Sequence, residues 1–212
     1  MLKIIFLIIF LIVAFVHLFV PHDKRLTKSL LLPAILAYYL SGANEIEILL
    51  VLAFVFSWLG DVLLMINGNK WFTLGGISFM LAHFLFIAVY VSKIGFSDIG
   101  IVLPIIAAVI YLAVSIRVMR YIKPNTPKPM FFPMLMYLFA NSAMNVFALM
   151  ILMSRMNAAA VAAYIGALLF FISDSVLFIS RSGVKKLKHS FLLIMFTYIF
   201  GEFLIAHSMM LI

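Results

Sequence analysis

The chain of 212 residues is 67% hydrophobic and only 10% charged, with a net charge of +8 and no cysteine. Soluble domains are about half apolar and about a quarter charged, so the composition excludes a water-soluble globular protein, and the lack of cysteine excludes disulfides, thiolate chemistry and cysteine-based metal sites. Because the basic residues lie in short loops between apolar stretches, we expect them to set membrane topology, and we expect no nucleic-acid partner.

In chain order, the apolar stretches predict an all-α integral membrane protein with eight transmembrane helices, of which the second is shorter than the about 20 residues that a span usually needs. The first stretch lacks a small-residue cleavage site, so we interpret it as an uncleaved helix. No break between helices has room for an extramembrane domain, and a single transmembrane domain is expected over residues 1–212. The predicted spans are 2–20, 27–41, 46–66, 71–92, 98–118, 130–153, 157–180 and 190–212.

The distribution of lysine and arginine predicts the orientation of these helices. The loops after the first, third, fifth and seventh helices carry 12 of the 15 basic residues. By the positive-inside rule this side is cytoplasmic, so both termini are predicted to be extracytoplasmic. We expect a multi-pass protein of a bacterial plasma membrane, surrounded by membrane lipids; the sequence predicts no oligomeric state.

Segments four helices apart resemble each other. Lys28–Pro33 opens the second helix as Lys128–Pro133 opens the sixth, and Leu59–Leu63 is similar to Ile172–Val176 near the ends of the third and seventh helices. Helices four apart run in the same direction, so this similarity predicts a 4+4 parallel pseudo-repeat about an axis along the membrane normal. Chance similarity between apolar segments is the alternative.

Acidic side chains inside the predicted spans indicate a functional site. A charge at a helix centre costs roughly 2.5–3.5 kcal/mol even on the mildest insertion scale, and such residues usually face the bundle interior. Asp61 and Asp174 lie near the predicted cytoplasmic ends of their helices, where Lys28 also lies, while Glu202 and His83 lie deeper. The alternatives are structural hydrogen bonds for the carboxyls, headgroup anchoring for Lys28 and simple packing for His83.

Two further helices contribute polar residues to this predicted pocket, which opens to the cytoplasm. Tyr137, Asn141 and Asn145 are spaced by four residues along one face of the sixth helix, and Tyr198 lies one turn from Glu202 on the eighth. The two asparagines could instead bond neighbouring helices. The candidate ligands include no Glu-x-x-His or His-x-x-x-His pair, so we expect no metal.

Two buried carboxyls in one site tend to differ in protonation, so that one can act as a general acid and the other as a general base. A pocket open to both lipid and cytoplasm favours an amphiphilic substrate with its polar head near Lys28. Proton-carrying carboxyls in a lysolipid or small-molecule transporter are an alternative interpretation. A noncatalytic lipid-binding protein is a third.

Five segments, in this order and spacing, form a specific pattern together. They are Lys28 with Pro33, Phe56–Met65, Ala82–His83, Gly166–Ser175 and Thr197–Tyr198. With them the chain resembles the YhhN family, the transmembrane lysoplasmalogenases, over most of its length. It departs from the family pattern at Ser29, where proline is frequent, and at Glu202, where glutamine is usual.

The resemblance implies hydrolysis of the vinyl ether bond of a lysoplasmalogen, without a cofactor, to a fatty aldehyde and a glycerophosphoethanolamine or glycerophosphocholine. One of Asp61 and Asp174 would protonate the vinyl ether carbon, while the other stabilises the resulting cation and activates water. His83 is the alternative acid or base, and Lys28 would bind the substrate phosphate. The other residues predicted to contact the lysophospholipid are Asn141, Asn145, Tyr198 and Glu202.

Overall fold

The computed structural model describes residues 1–185 and 187–212. Within them the chain forms eight α-helices and two short 3₁₀ turns, with no β-strand, which confirms the predicted all-α fold. The helices are α1 (Leu2–Phe19), α2 (Lys24–Gly42), α3 (Ile48–Leu64), α4 (Asn69–Lys93), α5 (Val102–Ile122), α6 (Lys128–Arg155), α7 (Ala158–Ser182) and α8 (Ser190–Met209).

Six of these helices, all except α2 and α3, are long and apolar enough to cross a membrane. The helix α3 is apolar but has 17 residues, and α2 carries three basic residues near its start. Large apolar side chains remain exposed around the outside of the bundle, where a membrane protein meets lipid. The chain is therefore a multi-pass membrane protein, and the orientation of its termini stays a prediction.

Two helices begin three or more residues away from their predicted starts, while the other starts agree to within two residues. The helix α2 begins at Lys24 rather than at residue 27, because Asp23 caps it by accepting a hydrogen bond from the Arg25 backbone N–H at 3.0 Å. This start places Lys24 and Lys28 one turn apart on the same face. The helix α5 begins at Val102 rather than at residue 98, since the residues before it form a 3₁₀ turn.

The helices pack in pairs that recur in the two halves of the chain. Each of the helix pairs α1–α2, α3–α4, α5–α6 and α7–α8 is in contact, and between the halves α4 contacts α6 as α8 contacts α2. These contacts agree with the predicted 4+4 repeat. They also place α3, α4, α6, α7 and α8, which carry most of the predicted site, around one interior.

Glycines allow the two helices of the α3–α4 hairpin, and those of the α7–α8 hairpin, to approach each other closely. A Cβ atom added at Gly166 would lie 2.8 Å from the Gly201 carbonyl oxygen, which joins α7 to α8, and one at Gly75 would lie 3.1 Å from the Gly60 carbonyl oxygen, which joins α4 to α3. Close backbone approach of this kind is a common basis of helix packing in membranes. It fixes the positions of α3 and α7, which carry the two aspartates.

Candidate active site

A cavity of about 320 Å³ lies at the end of the bundle where α2, α4 and α8 begin and α3 and α7 end. This is the end predicted to be cytoplasmic. Its volume is at the lower end of the range typical of small-molecule sites. The apolar part of its wall includes Leu64, Phe72, Phe79, Leu177, Phe178, Ile194 and Met195.

Asp61 forms the first polar cluster on this wall, with partners from two other helices. The Lys28 Nζ lies 3.0 Å from Asp61 Oδ1, and the Tyr198 hydroxyl donates a hydrogen bond to Asp61 Oδ2 at 2.8 Å. The Asp61 side chain is only 3% exposed. A buried carboxylate is stable only when its oxygens are paired and hydrogen-bonded, and this arrangement satisfies both oxygens.

Asp174 forms the second cluster, in different surroundings. The Tyr137 hydroxyl and the Asn141 Nδ2 both donate hydrogen bonds to Asp174 Oδ2, each at 2.6 Å. Both hydrogen bonds are made to the same oxygen, and no described residue donates a hydrogen bond to Asp174 Oδ1. No lysine or arginine of the described chain lies within ion-pair distance of Asp174.

Two predicted site residues support the Asp174 cluster from outside the cavity wall. Asn145 Nδ2 donates hydrogen bonds to the Asn141 backbone oxygen at 3.0 Å and to its side-chain oxygen at 3.1 Å, which orients the Asn141 amide so that its own N–H groups face Asp174. His83 is fully buried. Its Nδ1 donates to the Phe79 carbonyl oxygen at 2.6 Å, and its Nε2 lies 3.9 Å from Asp174 Oδ2.

Glu202 is not brought into the cavity, although it was predicted to contact substrate. It is fully buried, lies off the cavity wall, and neither of its carboxyl oxygens has a hydrogen-bond partner among the described residues. The Ser57 hydroxyl interacts with this carboxyl, but the two groups lack the geometry of a hydrogen bond. We therefore separate Glu202 from the two aspartate clusters.

The structure adds three residues at the mouth of the cavity to which the sequence analysis gave no role. His17, Lys24 and Arg181 line the mouth together with Lys28. Lys24 could have been found from the sequence, because it precedes Lys28 by one helical turn. His17 and Arg181 come from α1 and α7, and no spacing in the sequence relates them to Lys28.

Fold and site together define a multi-pass helical membrane protein with two aspartates on the wall of one cavity. The model of the YhhN family matches residues 23–209, a range that includes both aspartate clusters. The chain belongs to the YhhN family. Comparison with curated proteins and with solved structures gave no significant match.

Proposed function

We propose that this protein hydrolyses the vinyl ether bond of lysoplasmalogens. The observation that carries the proposal is the pair of aspartates in unlike surroundings on one mostly apolar wall. Membership of the YhhN family supports a lysoplasmalogenase-like membrane protein. An apolar cavity at the end of the bundle suits an amphiphile. The distribution of basic residues supports a mouth on the cytoplasmic side of the membrane, which we expect to be a bacterial plasma membrane.

The surroundings of the two aspartates support different roles for them. Asp61 is the ionised partner, because the Lys28 ammonium and the Tyr198 hydroxyl bind its two oxygens. Asp174 is the acid, because it lacks a lysine or arginine partner and its Oδ1 is free to carry a proton into the cavity. Carboxyls that share a site but differ in environment divide acid and base roles in this way.

The reaction begins with transfer of the Asp174 proton to the vinyl carbon that is not bonded to oxygen. The double-bond electrons form the new C–H bond, and an ether oxygen lone pair forms the oxocarbenium ion. The Asp61 carboxylate stabilises this cation and accepts a proton from the water that attacks it. The product of this step is a hemiacetal.

Collapse of the hemiacetal completes the turnover. Asp174 recovers its proton from the hemiacetal hydroxyl as the aldehyde carbonyl forms. The bond from the same carbon to the glycerol oxygen breaks, and Asp61 returns its proton to that oxygen. One water is consumed, both aspartates regain their starting states, and no cofactor is required.

The remaining polar residues act around this pair. Tyr137 and Asn141 hold Asp174 at 2.6 Å each, and Asn145 positions Asn141. Lys28 holds Asp61 and, at 18% side-chain exposure, is also accessible to a substrate phosphate. His83, 3.9 Å from Asp174, is the second candidate for proton transfer.

A panel of lysolipids tests the proposal. Detergent-purified protein is incubated with 1-alkenyl, 1-acyl and 1-alkyl glycerophosphocholine, and aldehyde and fatty acid are measured by mass spectrometry. We expect aldehyde from the alkenyl lipid and no cleavage of the other two, because only the vinyl ether becomes an oxocarbenium ion on protonation at carbon. Fatty acid from the acyl lipid without aldehyde would contradict the proposal. Transfer of intact lysolipid across a liposome, without cleavage, would favour the transporter.

A further inference from the structure

The cavity is lined by more basic side chains than acidic ones, and the basic side chains lie at its mouth. Lys24, Lys28 and Arg181 line it, and the carboxylates of the described wall are Asp61 and Asp174. Lys28 is paired with Asp61 at 3.0 Å. Neither Lys24 nor Arg181 forms an ion pair with a carboxylate of the described chain, so two cations remain available to an anion.

Both of these cations are held in place before any ligand arrives. The Lys24 Nζ donates to two backbone carbonyl oxygens at the end of α1, at 2.6 and 2.7 Å. The Arg181 guanidinium lies over the Phe72 ring, 5.1 Å from its centroid. Binding to side chains that are already ordered avoids part of the entropy cost of immobilising them.

A third group at the mouth lacks a partner. His17 is fully buried in the bundle and lies on the cavity wall. Its Nδ1 is hydrogen-bonded to Thr27 Oγ1 at 2.8 Å, while its Nε2 has no hydrogen-bond partner in the described chain. Buried polar atoms are rarely left unpaired, so a ligand or its hydrating water is expected to complete this bond.

We infer that Lys24 and Arg181 form a phosphate subsite at the mouth, which recognises the phosphodiester of a lysophospholipid. The lipid identity rests on the proposed function. Lys24 enters from the first turn of α2 and Arg181 from the last turn of α7. A phosphate between them would lie above Lys28, with the alkenyl chain running inward past the aspartates.

Binding of uncleavable ligands tests the subsite without depending on the reaction. Full-length protein in detergent is titrated with 1-O-alkylglycerol and with its phosphocholine and phosphoethanolamine derivatives. We expect each of the two phospholipids to bind at least about tenfold more tightly than the alkylglycerol, as charge-assisted hydrogen bonds allow. The Lys24→Gln, Arg181→Gln double variant should lose this advantage and keep its affinity for the alkylglycerol.

The matched control is Lys70→Gln, Lys185→Gln, which removes two lysines at the same end of the bundle that lie off the cavity wall. It should keep the phosphate advantage. Equal wild-type affinity for alkylglycerol and phospholipids, or an advantage that survives in the Lys24 and Arg181 variant, would overturn the subsite. A phosphate advantage without aldehyde release would reject the proposed reaction and leave the subsite standing.

Discussion

Replacing Asp174 with asparagine is expected to lower kcat for aldehyde release by about 10²–10⁴-fold, the range attributed to a general acid. The amide keeps the size of the carboxyl, and its oxygen can still accept the hydrogen bonds from Tyr137 and Asn141 at the position of Oδ2. It has no acidic proton for the vinyl carbon. The measurement is steady-state turnover of an alkenyl lysolipid, together with the thermal melting of the purified variant.

The matched control for this variant is Glu202→Gln, which also changes a fully buried carboxyl to an amide but at a position off the cavity wall. We expect its turnover to stay within a few fold of the wild type. Activity in Asp174→Asn at the wild-type level, in folded protein, would contradict the assignment of Asp174 as the acid. His83 would then be tested next in the same assay.

Replacing Lys28 with glutamine is expected to lower both stability and turnover. It removes the cation that lies 3.0 Å from Asp61, whose side chain is 3% exposed. Breaking a buried ion pair from one side costs about 3–5 kcal/mol, because the remaining charge is left without its partner. The expected results are a clear fall in the melting temperature and a loss of aldehyde release.

A double variant distinguishes the contribution of the ion pair to stability from its contribution to turnover. Lys28→Gln combined with Asp61→Asn leaves no unpaired charge, so the melting temperature should return close to the wild-type value while turnover stays absent. Thermal melting of the wild type, both single variants and the double variant shows whether the shifts in melting temperature of the two single variants add in the double variant. Losses of stability that simply add would show that Lys28 and Asp61 do not act as a pair.

The helix content could be predicted from the sequence because a membrane span requires a long apolar run, and six of the eight described helices contain one. The helix ends were less predictable, since they depend on local bonds. The helix α2 begins at Lys24, three residues before the predicted start, because Asp23 caps it. This earlier start places a second lysine at the mouth of the cavity. The apolar composition of a stretch does not show where a single capping hydrogen bond starts the helix.

The sequence predicted which residue types line the site and how deep they lie in the membrane. It predicted less well where the cavity ends. Lys28, Asp61, Asp174 and Tyr198 all line the cavity. Glu202 follows Tyr198 by one turn on α8 but lies off the wall. Phe170 packs against Tyr198 with ring centroids 5.4 Å apart, one turn deeper than Asp174, so the cavity ends at this level. Helical spacing predicts on which face of the helix a side chain lies. It does not predict the depth at which an aromatic ring of a neighbouring helix fills the cavity.

Aldehyde release in D₂O tests the central claim most directly. Purified wild type and the Asp61→Asn, Asp174→Asn double variant are incubated with an alkenyl lysolipid, the aldehyde is reduced at once to its alcohol, and deuterium is located by mass spectrometry. We predict one deuterium on the carbon next to the former carbonyl in the wild-type product, and no product from the folded double variant. No aldehyde from folded wild type, or equal aldehyde from both proteins, would contradict vinyl ether hydrolysis by the aspartate pair.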